Sequence, residues 1–183
     1  MNTHRAKVDR FAGPSKLVDA LSDRICSGTG PILDAGCGFG RNGLLLRARG
    51  ASVVFADNDG SRLSKLAKHL ETLDKDASHA PTRIVQTDLN RGWPFRSGLF
   101  TAVIAIHFIP LGAIAEMTRC MAPGGTLVIE SYGGHGENWR TLPPAEFTPT
   151  ILSRLFYIES YVEHQVGPAT IDAVSFSVCA VKQ

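Results

Sequence analysis

Three glycines with regular spacing are the first residues that point to chemistry. Gly36, Gly38 and Gly40 follow a short apolar run at 31–34. In open α/β sheets, ligands bind at the carboxyl ends of the strands, and a glycine there lets the backbone approach a ligand where a Cβ would collide. The sequence therefore predicts a nucleotide-like ligand at this turn.

A carboxylate favours one kind of ligand for the turn over another. Residues 38–43 read GFGRNG, which also matches the G-x-G-x-x-G of dinucleotide-binding proteins, and Asp57 follows at a compatible distance. Asp34 stands at the exit of the first predicted strand, where its charge would repel the pyrophosphate of a dinucleotide. A ligand that carries a sulfonium and an ammonium group fits better beside it.

Two further carboxylates end the next two predicted strands. Asp57 follows the run 53–56, where a carboxylate can accept both hydroxyls of a ribose, and a helix N-cap is its alternative role. Asp88 follows the run 84–87, within reach of an adenine edge when the ligand lies across the strand ends. Its alternative role is that of a turn-forming residue.

Short apolar runs alternate with helix-compatible segments, which is typical of a parallel sheet with crossover helices. Strands are predicted at 31–34, 52–56, 83–87, 102–106 and 126–130, and helices at 41–49, 60–76 and 111–121. Two more strand-like runs, 155–164 and 171–182, are too close together for a helical crossover and should pair antiparallel. The predicted fold is α/β, a Rossmann-like doubly wound, seven-stranded, mostly parallel sheet with an antiparallel C-terminal hairpin.

The bulk composition fits one domain over residues 1–183, with 1–13 as a flexible N-terminal arm. The chain is 44% hydrophobic and 20% charged, as is ordinary for a globular protein. A net charge of +2 with scattered Lys and Arg gives no footprint for a nucleic acid or an anionic membrane, so a small-molecule partner is expected. The four cysteines form no C-x-x-C pair and no membrane-length apolar run occurs, which favours a metal-free, cytoplasmic protein.

Together these motifs resemble the class I S-adenosylmethionine-dependent methyltransferases, from about residue 32 to the C-terminus. The resemblance implies S-adenosylmethionine as cofactor and S-adenosylhomocysteine as product. It implies that 34–40 holds the methionine part, Asp57 the ribose, and Asp88 and Leu89 the adenine. The full set of expected cofactor-binding residues is Asp34, Gly36, Cys37, Gly38, Gly40, Arg41, Asp57, Asn58, Asp88, Leu89 and Ile106. Residues 38–41, 88–95 and 129–132 are also similar to small bacterial methyltransferases of the tellurite-resistance type.

The acceptor side is predicted from residues after the fourth and fifth strands. His107 follows the fourth strand, where this fold brings the acceptor close to the methyl group, and a neutral imidazole there could remove a proton. A hydrogen-bonded structural histidine is the alternative. Tyr132, His135 and Trp139 follow the fifth strand and are expected to contact the acceptor, or else to pack without specific contacts. Arg41 either pairs with the cofactor carboxylate or is solvated.

The sequence thus predicts transfer of a methyl group to an O, N or S atom of a small molecule. Residues 107–110 read HFIP and not the Asn/Asp-Pro-Pro-aromatic turn that resembles adenine or glutamine amino-group methyltransferases, so those acceptors are disfavoured. A non-catalytic S-adenosylmethionine-binding protein stays open as an alternative. A nicotinamide-dependent oxidoreductase is a further alternative, although 183 residues leave little room for a second nucleotide.

Overall fold

Seven strands form one sheet in the computed structural model, which describes residues 13–73, 80–109, 112–134, 148–166 and 173–183. In chain order the strands are β1 (Ile32–Ala35), β2 (Val53–Asp57), β3 (Thr82–Gln86), β4 (Phe100–Ile106), β5 (Met121–Gly134), β6 (Phe156–Val166) and β7 (Ala173–Lys182). The helices are α1 (Lys16–Ala20), α2 (Ser22–Ile25), α3 (Arg41–Ala48), α4 (Gly60–Leu73), α5 (Ala113–Cys120) and α6 (Pro149–Leu152).

The strand order across the sheet is β3-β2-β1-β4-β5-β7-β6, and the pairs among the first five strands are parallel. Strand β7 pairs antiparallel with both β5 and β6, which confirms the predicted C-terminal hairpin. The chain leaves β1 toward β2 on one side and later enters β4 on the other. This reversal opens a crevice at the carboxyl ends of β1 and β4, where ligands of such sheets bind.

Helices cover the sheet on both sides, which explains why β1 and β2 are buried along their whole length. On one side, α1 to α4 contribute side chains such as Val18, Leu46 and Leu66 to a core against the sheet. On the other side, α5, α6 and the β3–β4 connection contribute Met117, Leu152 and others. The two cores hold the strand ends in fixed relative positions.

The largest difference between predicted and observed boundaries is at strand β5. Strand β5 was expected at 126–130 but begins at Met121, because Met121 pairs with Phe100 ahead of an irregularity in the β4–β5 register. The helix predicted at 111–121 therefore ends at Cys120. Within the described part of the chain, no helix is both long enough and apolar enough to cross a membrane.

Candidate active site

The glycine-rich turn between β1 and α3 is left-handed at each of its three glycines. The φ angles are +68° at Gly36, +57° at Gly38 and +78° at Gly40. At Gly36 the constraint is also steric, because an added Cβ would lie 2.1 Å from Cγ of Phe108. A side chain at Gly36 would therefore collide with the segment after β4, and the turn can pack there only as glycine.

Asp57, the last residue of β2, fastens this turn. Its Oδ2 accepts a hydrogen bond from the Gly38 amide at 2.7 Å, and its Oδ1 accepts one from the Asp59 amide at 2.9 Å. Asp59, and not Asp57, caps α4 by accepting from the Ser61 and Arg62 amides. The helix N-cap that was the alternative role for Asp57 thus belongs to its neighbour. A carboxylate has about four lone-pair positions, so Asp57 retains acceptor capacity.

Two adjoining hollows lie at the carboxyl ends of the strands and share Gly36, Arg62 and His107. The inner cavity has a volume of about 160 Å³ and is lined by Gly36, Asp57, Asn58, Arg62, Thr87, Asp88, Leu89, His107 and Phe108. The outer cleft has a volume of about 790 Å³ and is lined by Pro14, Gly36, Cys37, Gly38, Phe39, Arg41, Asn42, Leu44, Arg62, His69, Ile106 and His107. Most of the predicted cofactor-binding residues thus line these two adjoining hollows.

Asp34 and Gly40 are the predicted cofactor residues that line neither hollow. The carboxylate of Asp34 is 1% exposed, and its Oδ2 accepts a hydrogen bond from the Gly43 amide at 2.9 Å. Burial raises the pKa of Asp34 to about 7, and the bond from Gly43 offsets part of that effect. Asp34 lies behind the turn and ties α3 to β1, so a direct contact with the cofactor stays a prediction.

Asp88 performs the turn role considered for it and also faces the inner cavity. Its Oδ1 accepts hydrogen bonds from the amide and the side-chain nitrogen of Asn90, both at 3.0 Å, and Arg91 lies 3.4 Å from Oδ2. Leu89, next in the chain, is 4% exposed and gives the same cavity an apolar wall. A hydrogen-bond acceptor beside an apolar surface suits a heteroaromatic ring.

His107 occupies the junction of the two hollows in an unusual backbone conformation. It is the one non-glycine residue with positive φ, +56°, among the residues the structure describes. Its amide donates to the Glu130 carbonyl at 2.7 Å, and its Nε2 lies 3.3 Å from Glu130 Oε1. Its ring stacks on Tyr132, with centroids 5.3 Å apart and an interplanar angle of 17°. His135 and Trp139, also predicted on the acceptor side, lie outside the described residues.

Basic side chains line the outer cleft. Arg41 Nη1 donates to the Gly13 carbonyl at 2.8 Å, so this guanidinium fastens the segment before α1 to the mouth of the cleft. Phe39 is 56% exposed, and cationic groups of Arg62 and Lys65 each lie 5.7 Å from its ring centroid. Arg62 is also paired with Asp59, whose Oδ2 lies 3.0 Å from its Nε.

Comparison with known proteins identifies the family. Residues 32–125 match the profile of a family described as a methyltransferase domain. The chain belongs to this family. The match confirms the predicted methyltransferase class and the enzyme assignment, and it favours methyl transfer over the nicotinamide-dependent oxidoreductase kept as an alternative. No curated protein sequence matches the chain.

Solved structures with a similar fold provide a second, independent comparison for this methyltransferase. One of them is geranyl diphosphate C-methyltransferase from Streptomyces coelicolor A3(2), in complex with Mg²⁺, geranyl diphosphate and S-adenosyl-L-homocysteine. It is 13% identical to this chain, with a TM-score of 0.70, and the comparison covers 90% of this chain and 80% of that chain. PH0226 from Pyrococcus horikoshii OT3 is 18% identical, with 91% and 88% covered and a TM-score of 0.67. The [4+2]-cyclase SpnF is 18% identical, with 91% and 79% covered and a TM-score of 0.67. The predicted fold is confirmed, and the cofactor prediction agrees with the family and with the ligand in the first structure.

Several polar residues of the site were missed by sequence reasoning: Arg62, Thr87, His69 and Asn42 in the lining of the hollows, and Glu130 and Ser15 behind it. Glu130 ends the predicted fifth strand, as Asp57 and Asp88 follow theirs, so its position in the pattern was the available signal. Ser15 and Asn42 carried no signal, because their partners lie far away in sequence: Ser15 Oγ donates to Glu130 Oε2 at 2.6 Å, and the Ser15 amide donates to Asn42 Oδ1 at 2.8 Å.

Proposed function

We propose that this methyltransferase transfers a methyl group from S-adenosylmethionine to an O, N or S atom of a small molecule bound in the outer cleft. One observation carries the proposal: the imidazole of His107 lies at the junction of the two hollows. An O, N or S nucleophile usually holds a proton that must leave as the methyl group arrives, and a histidine at this point can accept it.

The residues around the inner cavity fit S-adenosylmethionine. Asp57 keeps lone pairs for the ribose hydroxyls, and Asp88 and Leu89 offer an acceptor and an apolar wall for adenine. The glycine turn leaves room beside Gly38, where the nearest atom to an added Cβ is 3.9 Å away. The sulfonium of this cofactor supplies an already activated methyl group, so the protein mainly has to align the two reactants.

Aligning the acceptor and removing its proton are the tasks left for this chain. The segment after β4 brings His107 to the end of β1, because Phe108 packs against the open side of Gly36. Arg41, Arg62 and His69 line the outer cleft and can orient a polar acceptor. Four free cysteines suit the reducing cytoplasm that we propose as the location of the reaction.

Calorimetric titration tests the cofactor half of the proposal. S-adenosylmethionine and S-adenosylhomocysteine should bind in the micromolar range, about −8 kcal/mol, and NAD should bind more weakly. Asp57→Ala should weaken binding by more than about tenfold, since a lost hydrogen bond of 1.4 kcal/mol is already a factor of ten. Asp23→Ala, which changes a carboxylate with 96% side-chain exposure, is the matched control and should bind normally.

An acceptor screen tests the catalytic half. Incubation with labelled S-adenosylmethionine and a panel of small hydroxyl, amine and thiol compounds should yield a labelled product and S-adenosylhomocysteine. Tight cofactor binding with no product across the panel would instead support the non-catalytic binding protein. Absence of binding by either sulfur ligand, with the protein folded, would remove the proposal altogether.

A further inference from the structure

The Glu130 carboxylate is engaged on both of its oxygens. Oε2 accepts a hydrogen bond from Ser15 Oγ at 2.6 Å, and Oε1 lies 3.3 Å from His107 Nε2. The side chains of His107 and Glu130 are each 25% exposed, so water screens this pair only in part. The carboxylate thus connects the imidazole of the site to the segment that precedes α1.

Two buried residues, Ser15 and Asn42, stabilise the connection between Glu130 and the segment before α1. Ser15 is 6% exposed and Asn42 is 5% exposed, and the Ser15 amide donates to Asn42 Oδ1 at 2.8 Å. Ser15 Oγ also accepts from the Leu17 amide at 3.1 Å, which caps α1. Because Ser15 is fixed by α1 and by α3, the orientation of the Glu130 carboxylate is fixed as well.

His107 is held by more than the carboxylate. Its left-handed backbone costs a non-glycine residue about 1–3 kcal/mol, and strain of this kind persists only where surrounding contacts impose it. Those contacts include the bond from its amide to the Glu130 carbonyl and the stacked ring of Tyr132. Two residues of β5, Glu130 and Tyr132, therefore help to determine where the imidazole lies and how its ring is turned.

We propose that Glu130 is a positioning residue that holds the proton of neutral His107 on Nε2 and so presents Nδ1 as the base; this inference rests on the proposed function. A carboxylate accepts a hydrogen bond and cannot donate one, so an imidazole nitrogen facing it carries the proton. In that tautomer the lone pair of the ring is on the opposite nitrogen, Nδ1. Glu130 acts through His107 and does not touch the acceptor.

The reaction balances with these groups. A lone pair of the acceptor atom forms the new bond to the methyl carbon, while the carbon–sulfur bond breaks and its electrons return to sulfur as a neutral thioether. The acceptor's proton moves to Nδ1, and the resulting imidazolium is paired with the Glu130 carboxylate. The proton then passes to solvent water and leaves the dyad ready for another turnover.

Nitrogen-15 NMR of the imidazole rings tests the pairing without cofactor or acceptor. His107→Asn identifies the His107 signals, and exposed His164 supplies the reference behaviour. We expect His107 to carry its neutral-state proton on Nε2 more completely than His164 does. In Glu130→Gln this preference should fall toward that of His164, because a neutral amide holds the Nε2 proton less firmly than a carboxylate does.

Two control variants test whether this tautomer preference is specific to the pair. Other charged or titratable groups near His107 are Tyr132 on β5, Arg41 of α3, Arg62 and His69 of α4, and the strand-end carboxylates Asp57 and Asp88. All of them stay in place in both variants that follow. Glu130→Asp restores the charge and should move the tautomer preference of His107 back toward wild type. Glu163→Gln removes an exposed carboxylate of β6 and should leave it unchanged.

Kinetic measurements then distinguish a positioning role of Glu130 from a purely structural one. With an acceptor from the screen, Glu130→Gln should lower kcat at least about tenfold while KM and the Kd for S-adenosylhomocysteine stay within about twofold. Unchanged His107 signals in folded Glu130→Gln would overturn the inference. Changed signals in a protein that binds no sulfur ligand would keep the pair and reject the proposed function, so the two failures are distinct.

Discussion

His107 can be altered without disturbing the backbone that carries it. Asparagine tolerates the left-handed region better than most residues, so His107→Asn should keep the φ of +56° and remove the base. We expect kcat to fall by about 10²–10⁴, the usual contribution of a positioned general base, with cofactor affinity and Tm close to wild type. Steady-state kinetics and thermal unfolding of the same preparation measure these effects.

His107→Ala provides the comparison for this variant. Alanine is less tolerant of positive φ than asparagine, so the alanine variant should lose a further ~1 kcal/mol of stability. Wild-type turnover in His107→Asn would make His107 the hydrogen-bonded structural histidine that the sequence left open.

The residues of the site that were foreseen are those that follow parallel strands. Asp57 and Asp88 could be predicted because the carboxyl ends of neighbouring parallel strands meet at one edge of the sheet. The direction in which a strand-end side chain points could not be predicted. Asp34, for example, turns toward the Gly43 amide behind the turn. Ser15 was out of reach, because its bond to Glu130 spans 115 residues and depends on packing between the first helix and the fifth strand.

Alanine substitutions in the glycine turn can separate the cost of a steric clash from the cost of left-handed backbone strain. At Gly36 an added Cβ would meet the Phe108 ring at 2.1 Å, whereas at Gly38 the nearest atom is 3.9 Å away, and both glycines have positive φ. Gly38→Ala should therefore cost only the left-handed strain, about 1–2 kcal/mol. Gly36→Ala should cost more than this, because Phe108 must leave its place, and it should move His107 with it.

Urea unfolding and S-adenosylhomocysteine binding, measured together, separate the two effects. Gly50→Ala shares the positive φ, has no atom within 4 Å of an added Cβ and lies outside the lining of both hollows, so it reports strain alone. Equal losses of stability and affinity in Gly36→Ala and Gly38→Ala would mean that Phe108 yields easily and does not define the site.

At the level of elements, long periodic segments were predictable and short ones were not. Helix α4 buries Leu63, Leu66 and Leu70 at helical spacing, and its start at Gly60 agrees with the sequence pattern. Helices α1, α2 and α6 have five, four and four residues, too few for a period to show. Such short helices exist because of tertiary contacts and caps, as at Ser15, and a sequence pattern carries little information about either.

The arrangement of the whole molecule explains why the site lies where it does. Strand β1 is central, with β2 on one side and β4 on the other, and each of its residues is buried between the two cores. A carboxylate in such a strand is far from water, and Asp34 is the clearest case. Its ionisation therefore affects the stability of the whole fold and not only the local turn.

Stability should consequently depend on pH through Asp34. Burial raises the folded-state pKa of Asp34 to about 7, while an unfolded aspartate titrates near 3.9. Between about pH 4 and about pH 7 the folded carboxyl keeps a proton that the unfolded chain has released. The free energy of unfolding should therefore decrease as pH rises through this window and level off above it. The full effect has an upper bound of about 4 kcal/mol, three units at 1.36 kcal/mol each.

Asp34→Asn isolates this effect, because the amide oxygen can still accept the Gly43 bond while the side chain stays neutral at every pH. Relative to this variant, the wild-type protein should lose stability between about pH 5 and about pH 8 in urea unfolding. Asp23→Asn, on an exposed side chain, should follow the wild-type curve. A constant difference between wild type and Asp34→Asn at both pH values would show that Asp34 ionises normally in the folded protein. In that case the Gly43 amide, and not protonation, would be what makes its burial tolerable.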